Sequence, residues 1–146
     1  LFHMLAPDVA YFGQKDIQPL VLIQKMVQDL DLALELVMVP IVRDADGLAL
    51  SSRNVYLTPA ERRMALALPA ALDAGVAAWR SGEHSGKRLE VIVGERLAGS
   101  GGLAADYIAV VEPDGLTPAG TAGAGTIIAI AARVGTTRLI DNVILG

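Results

Sequence analysis

The chain has 146 residues, with 12 Lys and Arg against 16 Asp and Glu, a net charge of −4, 53% hydrophobic residues and no cysteine. The acidic balance argues against a nucleic-acid surface and requires any anion site to be a local cluster of cations, while the lack of cysteine excludes disulfides, thiolate metal ligands and thiol redox chemistry. No apolar run approaches the ~20 residues of a membrane span and no signal-peptide layout opens the chain, so a cytoplasmic protein with one core or two small ones is expected.

Leu1-Phe2-His3-Met4-Leu5 reads as a helix cut into, which points to a piece of a longer protein. Val9 to Phe12 predicts a short buried strand between Pro7-Asp8 and Gly13. Asp16 is placed to N-cap a helix with apolar positions Leu20, Ile23, Val27 and Leu30; Pro19 falls in its first turn, leaving Gln18 as the remaining capping donor. Leu34 to Val42 is nearly all apolar and suits a parallel strand covered on both faces, weakened at Pro40. Strand, helix, strand, with a loop after each strand, is half of a doubly wound nucleotide-binding unit.

Thr58-Pro59-Ala60-Glu61 predicts a capping box opening a helix that runs to about Arg80. Met64, Leu68, Leu72, Val76 and Trp79 form its core stripe, and Pro69 kinks it by removing the bond to Ala65. A second helix spans about Ser85 to Leu97, with Leu89, Ile92, Val93 and Leu97 on one side, and Gly99 to Gly102 ends it. Tyr107 to Val111, Thr126 to Ala132 and Arg138 to Leu145 then predict a small antiparallel sheet, with a long loop over Pro113 to Gly125. The fold class is α/β: a partial Rossmann-like parallel unit over residues 1–43, then a small α+β domain over residues 44–146 that can form its own core, whereas the first unit needs neighbours.

Two stretches carry chemistry. Gly13-Gln14-Lys15-Asp16 sits at a strand-to-helix turn, and Asp46-Gly47-Leu48-Ala49-Leu50-Ser51-Ser52-Arg53-Asn54 ends an apolar run on two hydroxyls, a guanidinium and an amide. These are anion-binding groups, and Gly47 would let the backbone approach a ligand closely. Each has a plainer reading: Lys15 as a solvated lysine, Asp16 as a helix cap, Val42 as an ordinary strand residue, Arg53 paired with Asp44 or Asp46. Asp44-Ala45-Asp46-Gly47 opens like a calcium loop but lacks the later oxygen ligands, and no Gly-x-Ser-x-Gly accompanies Ser51 or Ser52 as a nucleophile. His3 and His84 read as structural or exposed.

With Pro7-Asp8, Phe12, Val39-Pro40, Tyr56-Leu57 and Arg138-Leu139-Ile140-Asp141-Asn142 in order around them, the two stretches resemble the carboxyl-terminal portion of the pantothenate synthetase (pantoate–β-alanine ligase) family, an adenylate-forming group. The resemblance implies ATP-dependent condensation of pantoate with β-alanine through a pantoyl adenylate, releasing pyrophosphate and AMP, with Mg²⁺ accompanying ATP and a homodimer as the intact protein. It implies an ATP site of Gly13, Gln14, Lys15, Asp16, Val42, Leu50, Ser51, Ser52 and Arg53. Lys15, Ser51, Ser52 and Arg53 would be catalytic and Phe12 and Pro19 would face the acid; no protein metal ligand is implied. The family has a second glutamine where Pro19 stands, which leaves the acid accepted open, and its His-x-Gly-His-type motif is not in the chain. The chain alone is therefore expected to be inactive. A nucleotide-binding module without catalysis, or a related ligase for another small acid, are the alternatives.

Overall fold

The structure is a computed structural model and describes residues 1–99 and 103–146. A one-turn helix, α1 (Phe2–Leu5), leads to β1 (Val9–Gly13), which pairs in parallel with β2 (Glu35–Val39) from Val9 opposite Glu35 to Gly13 opposite Val39. Between them lie a 3₁₀ turn, Gln14–Asp16, and α2 (Ile17–Asp29). β2 is shorter than the apolar run predicts. It stops before Pro40, which has no N–H for a ladder, and its residues are exposed or half-buried instead of covered on both faces.

α2 also departs from its predicted stripe. Ile17, Leu20 and Val21 are buried against Ile127 and Ala129, while Ile23 and Val27 are half-buried and Leu30 is exposed. Only the amino-terminal half of the helix lies against the rest of the molecule, so the buried positions crowd into its first turns. Asp16 occupies the N-cap position, but its side chain makes no capping hydrogen bond, because the 3₁₀ turn leaves its backbone at φ −91°, ψ 61° instead of in the extended cap conformation.

The Thr58 capping box forms as predicted, with Glu61 N–H donating to Thr58 Oγ1 and Thr58 N–H donating to Glu61 Oε2. The long helix it opens is broken rather than bent: α3 (Pro59–Ala65) ends and α4 (Ala67–Arg80) begins at Leu66, three residues before Pro69. Pro69 cannot donate to Ala65, and the missing bond falls where the two helices meet. Leu68 and Leu72 are fully buried, with Met64, Val76 and Trp79 packed beside them, and Trp79 Nε1 donates to the Ala122 carbonyl.

α5 (Gly86–Ala98) is capped by Ser85, whose hydroxyl accepts the Arg88 N–H, and it buries Leu89, Val93 and Leu97. Gly99 closes it; the rest of the predicted glycine stop lies outside the described residues. β3 (Ala104–Val111), β4 (Ile127–Val134) and β5 (Thr137–Ile144) form an antiparallel sheet in that order, and β4, its central strand, is buried along almost its whole length. One face of β4 takes α4 and α5 through Ile128, Ile130 and Ala132. The other takes α2 through Ile127 and Ala129. This central strand thereby joins the parallel unit to the helical layer.

α5 approaches the loop over 112–125 so closely that a Cβ on Gly86 would strike the Ala119 backbone carbonyl. Backbone cannot swing aside as a side chain can, so Gly86→Ala is expected to cost about 1–3 kcal/mol, the range for overpacking. A urea midpoint equal to that of the parent would show that the loop yields freely.

Candidate functional site

β5 carries an acid and an amide, Asp141 and Asn142, side by side in an apolar strand, and both are buried. Buried polar groups need partners, and each finds one on a different segment. The Asp141 side chain, 2% exposed, accepts from both ends of the Arg43 guanidinium: Nη1 to Oδ2 at 2.7 Å and Nη2 to Oδ1 at 3.0 Å. Asn142 Nδ2 donates to the carbonyls of Gln14 at 3.0 Å and Lys15 at 3.1 Å, and its Oδ1 accepts from Gln14 Nε2 at 3.2 Å. Two adjacent residues of β5 thus fasten both the turn after β1 and the chain after β2.

The chain after β2 folds back on itself. Leu50 N–H donates to the Val42 carbonyl, Arg43 bridges Ala49, and Asp44 N–H donates to Leu48 O, while Leu48 and Ala49 are buried. Gly47 is there for its φ of +93°, and its carbonyl accepts Arg43 Nη1; a turn, not close approach of a ligand, accounts for the glycine. From the other side Arg62 of α3 takes the carboxylates of Asp44 and Asp46, both at 2.8 Å. This pairing holds the Asp46 carboxyl below its ordinary range and the Arg62 guanidinium above its own. The competing pairing of Arg53 with Asp44 or Asp46 is therefore not made. Among the described residues no three His, Asp or Glu side chains converge on a possible metal position.

Lys15 joins the two fastened segments. Its Nζ donates to Leu50 O at 2.8 Å and Ala49 O at 3.2 Å, with no carboxylate in hydrogen-bonding contact. Burial pushes the Lys15 ammonium below the ordinary lysine range; the nearby charges of Asp141 and Asp16 oppose the shift and those of Arg53 and Arg43 add to it. An anion arriving beside Lys15 and Arg53 would offset both the desolvation of the ammonium and the repulsion between the two cations.

A cleft of about 210 Å³ opens at this point, walled by Lys15, Asp16, Pro19, Arg53, Asp141 and Asn142. The first turn of α2 also faces it, adding the positive end of a 13-residue helix. Of the residues read from the sequence, Lys15, Asp16, Pro19 and Arg53 meet here. Leu50, Ser51 and Ser52 stand beside them: the Leu50 carbonyl holds Lys15, the Ser51 hydroxyl accepts the Arg53 N–H at the start of a 3₁₀ turn, Ser52–Tyr56, and Ser52 is exposed. Val42 lies beyond β2, 62% exposed, with its N–H lacking an acceptor among the described residues. Gly13 ends β1, and the side chain of Gln14 is spent on Asn142, so its backbone is what it offers. Phe12 is off the cleft wall: its ring meets Phe2 edge-on with centroids 6.4 Å apart and packs against the α2 core.

Sequence reasoning missed the roles of Arg43, Arg62, Asp141 and Asn142. The available signal was an Asp-Asn pair inside a β-branched strand, a burial that only partners elsewhere in the chain can sustain.

The family profile described as pantoate–beta-alanine ligase matches residues 1–144. A pantothenate synthetase of Anaeromyxobacter dehalogenans is 49% identical over 97% of the chain and 49% of its own length. That of Acidobacterium capsulatum is 47% identical over 100% of the chain and 49% of its own length. The crystal structure of pantothenate synthetase from Thermus thermophilus superposes with a TM-score of 0.89 at 42% identity, covering 97% of this chain and 51% of that one. The chain spans about half the length of the curated relatives it matches.

Asp141→Asn keeps the shape of the side chain and removes the charge that holds Arg43. Loss of the charge-assisted pair is expected to lower stability by about 1.5–3 kcal/mol. A denaturant midpoint and slope identical to the parent's would show that the two segments are held without it.

Proposed function

The chain belongs to the pantoate–beta-alanine ligase family, and from that premise we propose that the whole protein joins pantoate to β-alanine at the expense of ATP, with residues 1–43 as the end of a nucleotide-binding domain and residues 44–146 as a smaller domain that closes over the phosphates. A pantoate carboxylate oxygen attacks the α-phosphorus, the bond to the β-phosphate oxygen breaks, and pyrophosphate leaves. The unprotonated amine of β-alanine then attacks the acyl carbon of the pantoyl adenylate, the acyl–oxygen bond breaks, AMP departs and the amine proton passes to solvent. The observation that carries this reading is the Lys15 contact: a partly buried ammonium, free of carboxylate hydrogen bonds, held by the carbonyls that lead directly into Ser51-Ser52-Arg53.

In this scheme Lys15 and Arg53 stabilise the charge that develops as pyrophosphate leaves, and Ser51 and Ser52 donate hydroxyls to phosphate oxygens. Asp16 accepts from the ribose, the free N–H of Val42 faces adenine, and Gly13 and Gln14 contribute backbone. Mg²⁺ would accompany the triphosphate and offset its charge, and as an ion bound mainly by phosphate and water it would need few protein ligands. Pro19 stands on the cleft wall without a side-chain donor, next to where the acid would lie. The intact protein is proposed to be a cytoplasmic homodimer.

Lys15→Met in the full-length protein is expected to slow adenylation, read as pantoate-dependent pyrophosphate exchange, by ~10²–10³-fold, the usual loss for one preorganised charge-stabilising donor. Exchange at the parent rate would remove Lys15 from the site. Pro19→Gln is expected to tighten pantoate binding by about 0.5–1.5 kcal/mol, the net worth of one hydrogen bond. An unchanged pantoate constant would show that another group already fills that role.

A further inference from the structure

Asn54 ends the Ser-Ser-Arg stretch, yet its amide is not on the cleft wall. It turns inward: Nδ2 donates to the Ala49 carbonyl at 3.2 Å, and the Asn54 backbone N–H donates to Ser51 O at 3.1 Å. The side-chain bond spans Leu50-Ser51-Ser52-Arg53 and closes those residues into one loop.

The Ala49 carbonyl is open to this bond because of how the chain folds back. Leu50 N–H donates to Val42 O and Asp44 N–H to Leu48 O, which sets Arg43 opposite Ala49 in a pair that exchanges no hydrogen bonds of its own. The N–H and C=O of Ala49 therefore point away from Arg43. Ala49 is buried, and its carbonyl takes two donors, Asn54 Nδ2 and, also at 3.2 Å, Lys15 Nζ. With two lone pairs, that oxygen is saturated. The lysine that the functional reading sets on the phosphates and the loop that carries Arg53 thus meet at one atom.

Asn54 holds this place at a cost. Its Oδ1 is buried and accepts no hydrogen bond, the one such side-chain atom among the described residues. Turning the amide over would set Oδ1 against the Ala49 carbonyl and leave Nδ2 buried without an acceptor. Stability alone does not require the amide, since without it the Ala49 carbonyl keeps Lys15 and the stranded acceptor is gone. What the amide supplies is direction. Two donors from different segments give the peptide between Ala49 and Leu50 one orientation, whereas Lys15 alone leaves it free to turn.

Resting on the functional reading above, we propose that Asn54 is a positioning residue for adenylation. By fixing the Ala49 carbonyl it sets where Lys15 Nζ stands and the path of the loop to Arg53, without itself touching nucleotide or acid.

In the full-length protein, Asn54→Ala is expected to lower the kcat of pantoate-dependent pyrophosphate exchange by about 10–100-fold, the loss that follows a misplacement of about 1 Å, with KM for pantoate within about twofold of the parent's. Its denaturant midpoint should match the parent's, because removal of the buried acceptor offsets the lost hydrogen bond. Asn54→Asp keeps the shape, replaces the donor with an oxygen and should lose at least as much activity; it decides the matter if Asn54→Ala does not fold. Adding Asn54→Ala to Lys15→Met should cost little beyond Lys15→Met alone, since both act at one ammonium. A parent-like kcat in either folded variant, a fall in kcat that tracks a fall in the midpoint in both, or effects that multiply in the double variant would overturn the positioning role. Slow exchange by Lys15→Met beside parent-like exchange by Asn54→Ala would overturn that role alone. Parent protein without pantoate-dependent exchange, or Lys15→Met at the parent rate, would overturn the functional reading and the positioning role with it.

Discussion

Asp141 and Asn142, buried side by side within β5, fix where the turn after β1 and the Ser-Ser-Arg loop stand relative to one another. Neither loop carries a regular element that would position it: one is a 3₁₀ turn, the other a tight return closed by a few backbone bonds. The chain solves this by placing charge and amide where burial compels partners. A carboxylate out of water must find a cation, and Arg43 is bonded to it through two nitrogens, leaving the loop little freedom of register. The adjacent amide captures two carbonyls of the other segment at once.

Arg62 completes the arrangement from the helical side. By taking Asp44 and Asp46 it uses up the carboxylates of the loop that leads to Arg53, whose guanidinium is left to face the cleft. Lys15 is kept from neutralisation in the same way, since its hydrogen bonds go to carbonyls. Among the described residues neither Lys15 nor Arg53 is held in an ion pair, so an acidic chain of net charge −4 still presents both cations to the cleft.

What is legible in the sequence are features with local causes. The Thr58 capping box, most of the core stripes of the carboxyl-terminal helices and the three antiparallel strands depend on residues a few positions apart, and the structure has them. The helix break at Leu66 is visible as a proline, though its full severance is not. The buried face of α2 is not legible, because periodicity gives a stripe but not how much of the helix meets a neighbour, and only Ile17, Leu20 and Val21 do. The clamp through Arg43, Asp141 and Asn142 spans 98 to 128 positions, a pairing that no local pattern encodes. Asp16 stands at the expected position for a cap, yet the tight turn before it withholds the bond.

The central claim is that this clamp brings Lys15 and Arg53 to one phosphate site. A crystal structure of the full-length protein with Mg²⁺ and a non-hydrolysable ATP analogue tests it most directly. The account predicts phosphate oxygens within hydrogen-bonding distance of Lys15 Nζ and the Arg53 guanidinium, with the Arg43–Asp141 pair intact. A nucleotide bound away from both cations, or bound between them with that pair broken, would contradict it.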